Sequence, residues 1–195
     1  MATFTDKFRP LISEDSSLVE SIKKSPVKKI RRVYFDGDIN ALSEKKIDNQ
    51  LVFNCLSGPL IFDFENGDAI GFDSEDTRDS IVCWHEIYKG VECDEYFFLR
   101  HCSKFLLQND TYYSNPDFFK GIIGYKIETV TTYNFPLPIS WRLIGDVRQK
   151  VIVLNSAANE SLALTYLPSF PGTLSIVNPD QIHSKLLHEA IKMSF

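Results

Sequence analysis

Acidic side chains are the first residues in this sequence that could do chemistry, because they are crowded into one segment. Eleven Asp and Glu lie from Asp63 to Glu95 and are opposed only by Arg78 and Lys89, so this segment has a formal charge of −9 and the rest of the chain +4. A carboxylate pair could serve acid–base catalysis, but carboxylates in a charged, solvated loop are not tuned for proton transfer. The pattern favours a basic partner and fast, charge-steered association, and it disfavours nucleic acid.

The predicted partner-binding residues are therefore carboxylates of this segment. The alternative that the sequence leaves open is a solvated face that only aids solubility. Eight residues make up the predicted surface: Asp63, Glu65, Asp68, Asp73, Glu75, Asp76, Asp79 and Glu86.

Histidine is the next candidate, and its spacing predicts no metal site. His183 and His188 would lie about 140° apart on a helix, which is poor geometry for sharing an ion. His101 and its neighbour Cys102 would point to opposite faces of a strand. His85 is expected at the surface, just after a strand.

Neither the cysteines nor any known catalytic motif predicts a reactive site. No C-x-x-C pair occurs among Cys55, Cys83, Cys93 and Cys102, and we expect Cys55 and Cys83 to be free thiols among apolar residues. The sequence has no G-x-S-x-G motif and no glycine-rich phosphate loop. We expect no catalytic residue, no metal and no cofactor, and hence no enzyme.

The stretch from Leu60 to His85 organises the predicted fold. Ile61 to Phe64 and Ile70 to Phe72 are β-favouring runs on either side of Asn66-Gly67, which predicts a hairpin with a two-residue type I′ turn. Residues 73–79 are predicted to be a loop too charged to bury, and residues 81–84 a third strand. The unit is a meander with one apolar face and an acidic rim.

The remaining elements are predicted to support this unit. Residues 1–12 read as an arm along the body, followed by a short helix that Pro26 ends. The basic run 28–32 is typical of an edge strand with charged outward residues, although it could touch phosphates or lie against the acidic segment. Further elements are predicted at 51–56 (strand), 96–107 (strand pair or helix), 118–119 (helical turn), 124–133, 151–154, 161–166 and 173–177 (strands), and 178–191 (a final short helix).

These elements predict an α+β, β-rich chain with antiparallel meander sheets and a few short helices, forming one domain over residues 1–195. The second half repeats the order of the first, so the segments 27–95 and 118–182 could be a duplication whose halves pack together; the alternative is that all meanders look alike. A hydrophobic content of 44% indicates a folded globule. No membrane span and no signal peptide are recognised, so we expect a cytoplasmic protein without a membrane partner.

Two stretches carry a resemblance to a known class of proteins. Residues 62–72 with Ser80-Ile81-Val82, and Phe118-Phe119 with residues 123–130 before 151–164, are similar to a pattern in small bacterial immunity proteins of contact-dependent inhibition and polymorphic-toxin systems. The resemblance covers about half of the chain. It implies a cytoplasmic, single-domain inhibitor that binds a cognate toxin domain, for example a nuclease, and blocks its active site.

Two other classes of function stay open. A regulatory or ligand-binding β module would have an apolar cavity between its sheets. An enzyme with an unrecognised acidic or Cys/His site would have a pocket with converging, pKa-shifted polar groups.

Overall fold

The computed structural model describes residues 9–35, 37–76, 78–93, 104–136, 147–166, 174–182, 184–188 and 190–195. These residues form two antiparallel sheets, which confirms the prediction of a β-rich α+β fold, and one of the sheets curls into a half-barrel. Sheet A has six described strands and sheet B has five.

The strands of sheet A are β1 (Val27–Tyr34), β2 (Leu60–Phe64), β3 (Ala69–Glu75), β4 (Ser80–Tyr88), β5 (Val91–Glu92) and β6 (Lys104–Leu107). Those of sheet B are β7 (Ile127–Pro136), β8 (Val147–Ser156), β9 (Ser161–Thr165), β10 (Ser175–Val177) and β11 (Ile191–Ser194). The strand order is β5-β4-β3-β2-β1-β6 in sheet A and β10-β9-β8-β7-β11 in sheet B. The α-helices are α1 (Ser16–Lys24), α2 (Asp38–Glu44), α3 (Val52–Cys55) and α4 (Ser184–His188), and short 3-10 turns lie at Ile12–Glu14, Asn49–Leu51, Pro116–Phe119 and Pro179–Gln181.

The two sheets have the same topology. Each is a meander of consecutive strands, and its last strand returns to pair with its first, β6 with β1 and β11 with β7. The duplication stays a hypothesis, and one of its proposed matches is wrong: residues 51–56 hold the helix α3, not a strand. The strand of sheet A that occupies the position of β7 is β1.

Helix α1 forms as the sequence predicts. The Asp15 carboxylate accepts the Ser17 backbone N–H at 2.9 Å and so caps the helix, while Lys23 and Lys24 lie in its last turn, where the helix dipole favours positive charge. Leu18 and Ile22, four residues apart, are buried on one face of the helix.

The central hairpin is confirmed, but its turn differs from the prediction. Gly67 has a φ of +88°, whereas Asn66 is not among the described residues with positive φ. The Gly67 N–H donates to the carbonyl of Phe64, and the Phe64 N–H donates to that of Asp68. This is a three-residue loop, a type I turn with a glycine bulge, rather than a type I′ turn.

The basic run 28–32 was expected at a sheet edge and lies inside the sheet. Strand β1 pairs with β2 on one side and β6 on the other. The side chain of Arg32 points between the two sheets, and its residue is completely buried. The edge-strand prediction is wrong because β6, about 70 residues later, supplies a second neighbour that local pattern does not reveal.

Two other boundaries also differ. The predicted loop 73–79 is a loop only in its second part, since β3 continues to Glu75. The predicted final helix is replaced by a 3-10 turn, α4 and the strand β11, which begins at Ile191. The expected element at 96–107 is described only as β6, and its remainder lies outside the described residues.

One buried cluster lies between the sheets. It takes Phe62 and Phe72 from sheet A, Ile152 and Leu164 from sheet B, and the buried face of α1. At one corner the strands β4 and β8 are also tied directly, because the amide of Gln149 donates to the backbone carbonyl of Ile81 at 3.1 Å. The shared core and this hydrogen bond fix the position of one sheet relative to the other. Side chains at the edges of one sheet can therefore make defined contacts with the other sheet.

Among the helices that the structure describes, none combines the length and the apolar character needed to cross a lipid bilayer.

Candidate functional site

The predicted acidic surface is divided between the two ends of sheet A. The β2–β3 turn, with Glu65 and Asp68, lies at one end, and the β3–β4 turn, with Asp76 and Asp79, lies at the other. Strand β3 has seven residues, which puts about 20 Å between them. Carboxylates that are close in sequence are therefore separated in space.

Asp63 is engaged by the basic strand next to it. The guanidinium of Arg31 donates two hydrogen bonds to this carboxylate, at 2.7 and 2.8 Å, and the Lys29 Nζ lies 3.9 Å away. Paired donors of this kind are the strong geometry for an arginine–carboxylate contact. Of the interpretations of the basic run, contact with the acidic segment is confirmed at this pair.

The β3–β4 turn is clamped to sheet B. Asp79 receives Arg148 at 3.0 Å and Lys150 at 2.6 Å, and the hydroxyl of Tyr166 donates to Asp76 at 2.6 Å. Burial and the hydrogen bond to Asp76 raise the pKa of Tyr166. The turn thus joins the two sheets as well as presenting charge.

Two of the predicted surface acids are buried. The Asp68 carboxylate accepts the backbone N–H of Lys89 at 2.6 Å and the side-chain amide of Asn66 at 2.9 Å, so it braces two turns. Glu86 accepts the indole N–H of Trp84 at 3.0 Å. Of the remaining three predicted acids, Glu65 is exposed, and Asp73 and Glu75 are half-buried.

The most specific arrangement among these acids surrounds Trp84 on the outer face of sheet A. The guanidinium carbon of Arg9 lies 4.4 Å from the centre of the Trp84 ring, and its Nη1 lies 3.3 Å from the Asp73 carboxylate. The indole covers Gly71, where a Cβ atom would overlap it. We call Gly71, Asp73, Trp84 and Glu86 the Trp84 cradle.

Burial changes the pKa of Asp73, a carboxylate of this cradle that contacts Arg9. Desolvation raises the pKa of Asp73, and the positive charge of Arg9 opposes that rise. Trp84 is buried, while the side chains of Arg9 and Asp73 keep 28% and 21% of their surface exposed. The cradle therefore holds a poorly solvated carboxylate that a cation stabilises and that solvent still reaches.

Of the predicted arm, residues 1–12, the structure describes only residues 9–12, which bring Arg9 to the cradle and lie beside β4. The Cys83 N–H donates to the carbonyl of Pro10 at 3.1 Å. Arg78 donates to the carbonyl of Arg9 and to the Glu14 carboxylate, both at 2.8 Å. Sequence reasoning missed Arg9, because a single arginine before a proline carries no signal of the ring and carboxylate it will meet.

A serine, a histidine and a carboxylate meet where α1 contacts β4. The Ser17 Oγ lies 2.6 Å from the Asp15 carboxylate and 3.1 Å from the His85 Nε2. The Ser17 hydroxyl has a single proton and donates it to the Asp15 carboxylate, so His85 must donate from Nε2 to the Ser17 oxygen. His85 then cannot accept the proton of Ser17, and this contact is not that of a hydrolase triad.

The environment of His85 agrees with a neutral ring. It lies within β4 and is half-buried, not at the surface after a strand as expected. Burial lowers the pKa of His85 despite the charges of Asp15 and Asp68. Its Nδ1 is buried and has no hydrogen-bond partner among the described residues.

The thiols that the structure describes do not gather with other ligands. Cys55 and Cys83 are free thiols, which confirms the expectation for these two residues. Burial raises the pKa of both Cys55 and Cys83, so neither is an activated nucleophile. Within the described ranges no three His, Cys, Asp or Glu side chains are placed to hold a metal ion. Cys102, His101 and His183 lie outside those ranges.

Arg32 is the most unusual charged group in the interior. Its Nη2 donates to the backbone carbonyls of Leu56 and Leu174, which joins β1 to the residue before β10. Its Nε and Nη1 have no partner among the described residues. Desolvation lowers the pKa of Arg32 to about 10, so the group stays charged at neutral pH.

Comparison with protein-family models, with characterised proteins and with solved structures finds no match to this chain.

Proposed function

We propose that this chain is a binding protein that neutralises a basic partner, as the resemblance to bacterial immunity proteins implies. The partner is a cognate toxin domain, for example a nuclease, and the chain acts in the cytoplasm by covering the toxin's active site. No reaction of its own is needed for this role.

The observation that carries the proposal is that the acidic segment already binds basic side chains from distant parts of the chain. Arg31, Arg9, Arg148 and Lys150 reach their carboxylates across 32, 64, 69 and 71 residues of sequence. The segment therefore presents carboxylates in geometries that accept guanidinium and ammonium groups. A basic partner would use the same chemistry on the carboxylates that face solvent.

The enzyme alternative has less support in the described residues. Its best candidate, Ser17 with His85, has the wrong proton arrangement for nucleophilic activation. The ligand-binding alternative is also less supported, because packed side chains such as Phe62, Phe72 and Ile152 occupy the space between the sheets.

Neutralisation is tested by first looking for a large secreted protein encoded beside this chain and then using the toxin-like domain of that protein. That domain is expressed in bacterial cells with and without this chain, and growth is measured. We expect growth to stop with the domain alone and to recover with the chain present. Absence of a neighbouring toxin, or failure of the chain to restore growth, would overturn the proposal.

The contribution of charge to binding is tested by measuring the association rate of the two purified proteins by stopped flow. The pair Glu65→Gln and Asp76→Asn removes two exposed charges of the segment, and the control pair Glu20→Gln and Glu44→Gln removes two exposed charges from α1 and α2. We expect the first pair to slow association several-fold at low salt and the control pair to have little effect. Equal slowing by both pairs would show that only net charge matters.

A further inference from the structure

We infer that the Trp84 cradle is a recognition site for an arginine side chain, and that Arg9 is an internal occupant that an arginine of the basic partner replaces. The identity of the partner rests on the proposed function, whereas the chemistry of the cradle does not. The site would explain how a protein in which most of the eight predicted surface acids already have internal partners still distinguishes one basic partner from another.

The cradle offers a guanidinium group an aromatic face and a carboxylate oxygen. The indole of Trp84 offers a flat surface 4.4 Å from the guanidinium carbon of Arg9, and Asp73 supplies a carboxylate oxygen 3.3 Å from its Nη1. Gly71 lets the indole lie against β3, and Glu86 holds the indole N–H. The ring is therefore fixed before any partner arrives, so binding does not need to order it.

The same geometry favours arginine over lysine. A guanidinium is planar, stacks on an aromatic face and can give two parallel hydrogen bonds, whereas an ammonium is a strongly hydrated point charge. Tryptophan is the best of the aromatic rings for holding a cation. A partner arginine would thus gain both a stacking surface and a poorly solvated carboxylate in one place.

Arg9 can leave the cradle without releasing the segment that carries it. That segment is anchored by its backbone, through the carbonyls of Pro10 and Arg9, and by the buried side chains of Leu11 and Ile12. The Arg9–Asp73 contact is longer than either contact between Arg31 and Asp63. Exchange of one arginine for another therefore needs only a change of the Arg9 side chain.

The test uses the full chain and a short fluorescent arginine–glycine peptide, with a lysine–glycine peptide of equal length and charge as the second probe. Affinities are measured by fluorescence anisotropy for the wild type and for Arg9→Gln. We expect Arg9→Gln to bind the arginine peptide on the order of tenfold more tightly than the wild type, because the internal competitor is gone. The lysine peptide should gain much less, and adding Asp73→Asn should remove the gain.

Arg148→Gln is the matched control, because it also removes one positive charge that faces a carboxylate, and among the described residues the Arg148 guanidinium stacks on no aromatic ring. An equal gain with Arg148→Gln, or an equal gain for the lysine peptide, would show only a change of net charge and would overturn the inference. Circular dichroism checks the fold of each variant, and Arg9→Lys serves if Arg9→Gln is unfolded; it should bind the arginine peptide between the wild type and Arg9→Gln. Since no toxin is present, failure here leaves the growth test of the proposed function intact, and failure of that test leaves this result intact.

Discussion

Gly71 and Trp84 face each other across β3 and β4, and the indole occupies the space that a side chain at position 71 would need. The two residues are direct cross-strand partners, and a Cβ added to Gly71 would overlap the ring atoms of Trp84. Trp84 can lie flat on the sheet only because position 71 has no side chain. The outer face of sheet A, with Arg9 above the indole, depends on this one glycine.

Gly71→Ala is therefore expected to destabilise the protein. The methyl group must displace the indole or bend β3, which typically costs about 1–3 kcal/mol for overpacking. Chemical denaturation measures the loss, and the tryptophan emission should shift because the indole moves. The control is Gly67→Ala, where no atom lies within 4 Å and only the positive φ is strained, at about 1–2 kcal/mol, with no change in emission. A Gly71→Ala protein with wild-type stability and emission would contradict this packing.

We expect Asp79 to contribute mainly to the stability of the protein, through its contacts with sheet B, rather than as a charge available to a partner. The Lys150 side chain is only 7% exposed, and Asp79 is the carboxylate it contacts at 2.6 Å. Asp79→Asn leaves this ammonium without its partner, and since Asp79 itself is partly exposed we expect a loss of about 1–2 kcal/mol. Denaturation curves of Asp79→Asn, Lys150→Met and the double variant give the coupling between the two residues. Strictly additive effects would show that the contact contributes nothing.

Asp76 provides the comparison for that experiment. It is an exposed residue whose carboxylate accepts the Tyr166 hydroxyl, and no buried cation depends on it. Asp76→Asn should therefore cost less than about 1 kcal/mol. A larger loss than that of Asp79→Asn would mean that the Tyr166 contact, and not the Lys150 contact, holds the β3–β4 turn to sheet B.

Local pattern was sufficient for the elements whose cause is local. Helix α1 has its cap and its charged ends within a few residues, and the central hairpin has its glycine turn. Residues 51–56 show the limit, because a short apolar run fits a strand or a helix equally well. There Asp48 caps the preceding turn, and Phe53 packs edge-on against Phe119 at 5.5 Å, a contact that the sequence does not reveal.

The predicted acidic surface shows the same limit for the site. The sequence shows how many carboxylates there are but not which cationic side chains contact them, because the partners of Asp73 and Asp79 are 64 to 71 residues away in the chain. It also does not show that β3 separates the two acidic turns. The prediction that His85 lies at the surface just after a strand is wrong, because β4 continues to Tyr88 and His85 lies inside the strand.

Two substitutions of Arg32 test how its buried positive charge affects the stability of the protein. Arg32→Lys keeps a positive charge in the interior but replaces the guanidinium, whose Nη2 contacts both Leu56 and Leu174, with an ammonium, which is more strongly hydrated and therefore costs more to bury. Arg32→Met removes the charge and its desolvation, which offsets the two lost hydrogen bonds. We expect the free energy of unfolding to be higher for Arg32→Met than for Arg32→Lys. The opposite order would indicate that the charge itself is satisfied in the interior.

His85 should make the protein less stable in mild acid. Burial lowers its pKa below the ordinary value of 6.5, so below about pH 6.5 the unfolded chain takes up a proton that the folded chain resists. The contribution of the neutral ring is complete above pH 6.5 and is lost as the pH falls towards the lowered pKa. Its physical cause is the buried Nδ1, which would need an acceptor once protonated, while Nε2 already donates to Ser17. Thermal unfolding of His85→Gln between pH 7.5 and 5 should show a smaller fall in midpoint than the wild type, whereas His188→Gln, at an exposed residue, should follow the wild type. If His85→Gln falls as steeply as the wild type, the acid sensitivity arises elsewhere and the Nδ1 of His85 is not its source.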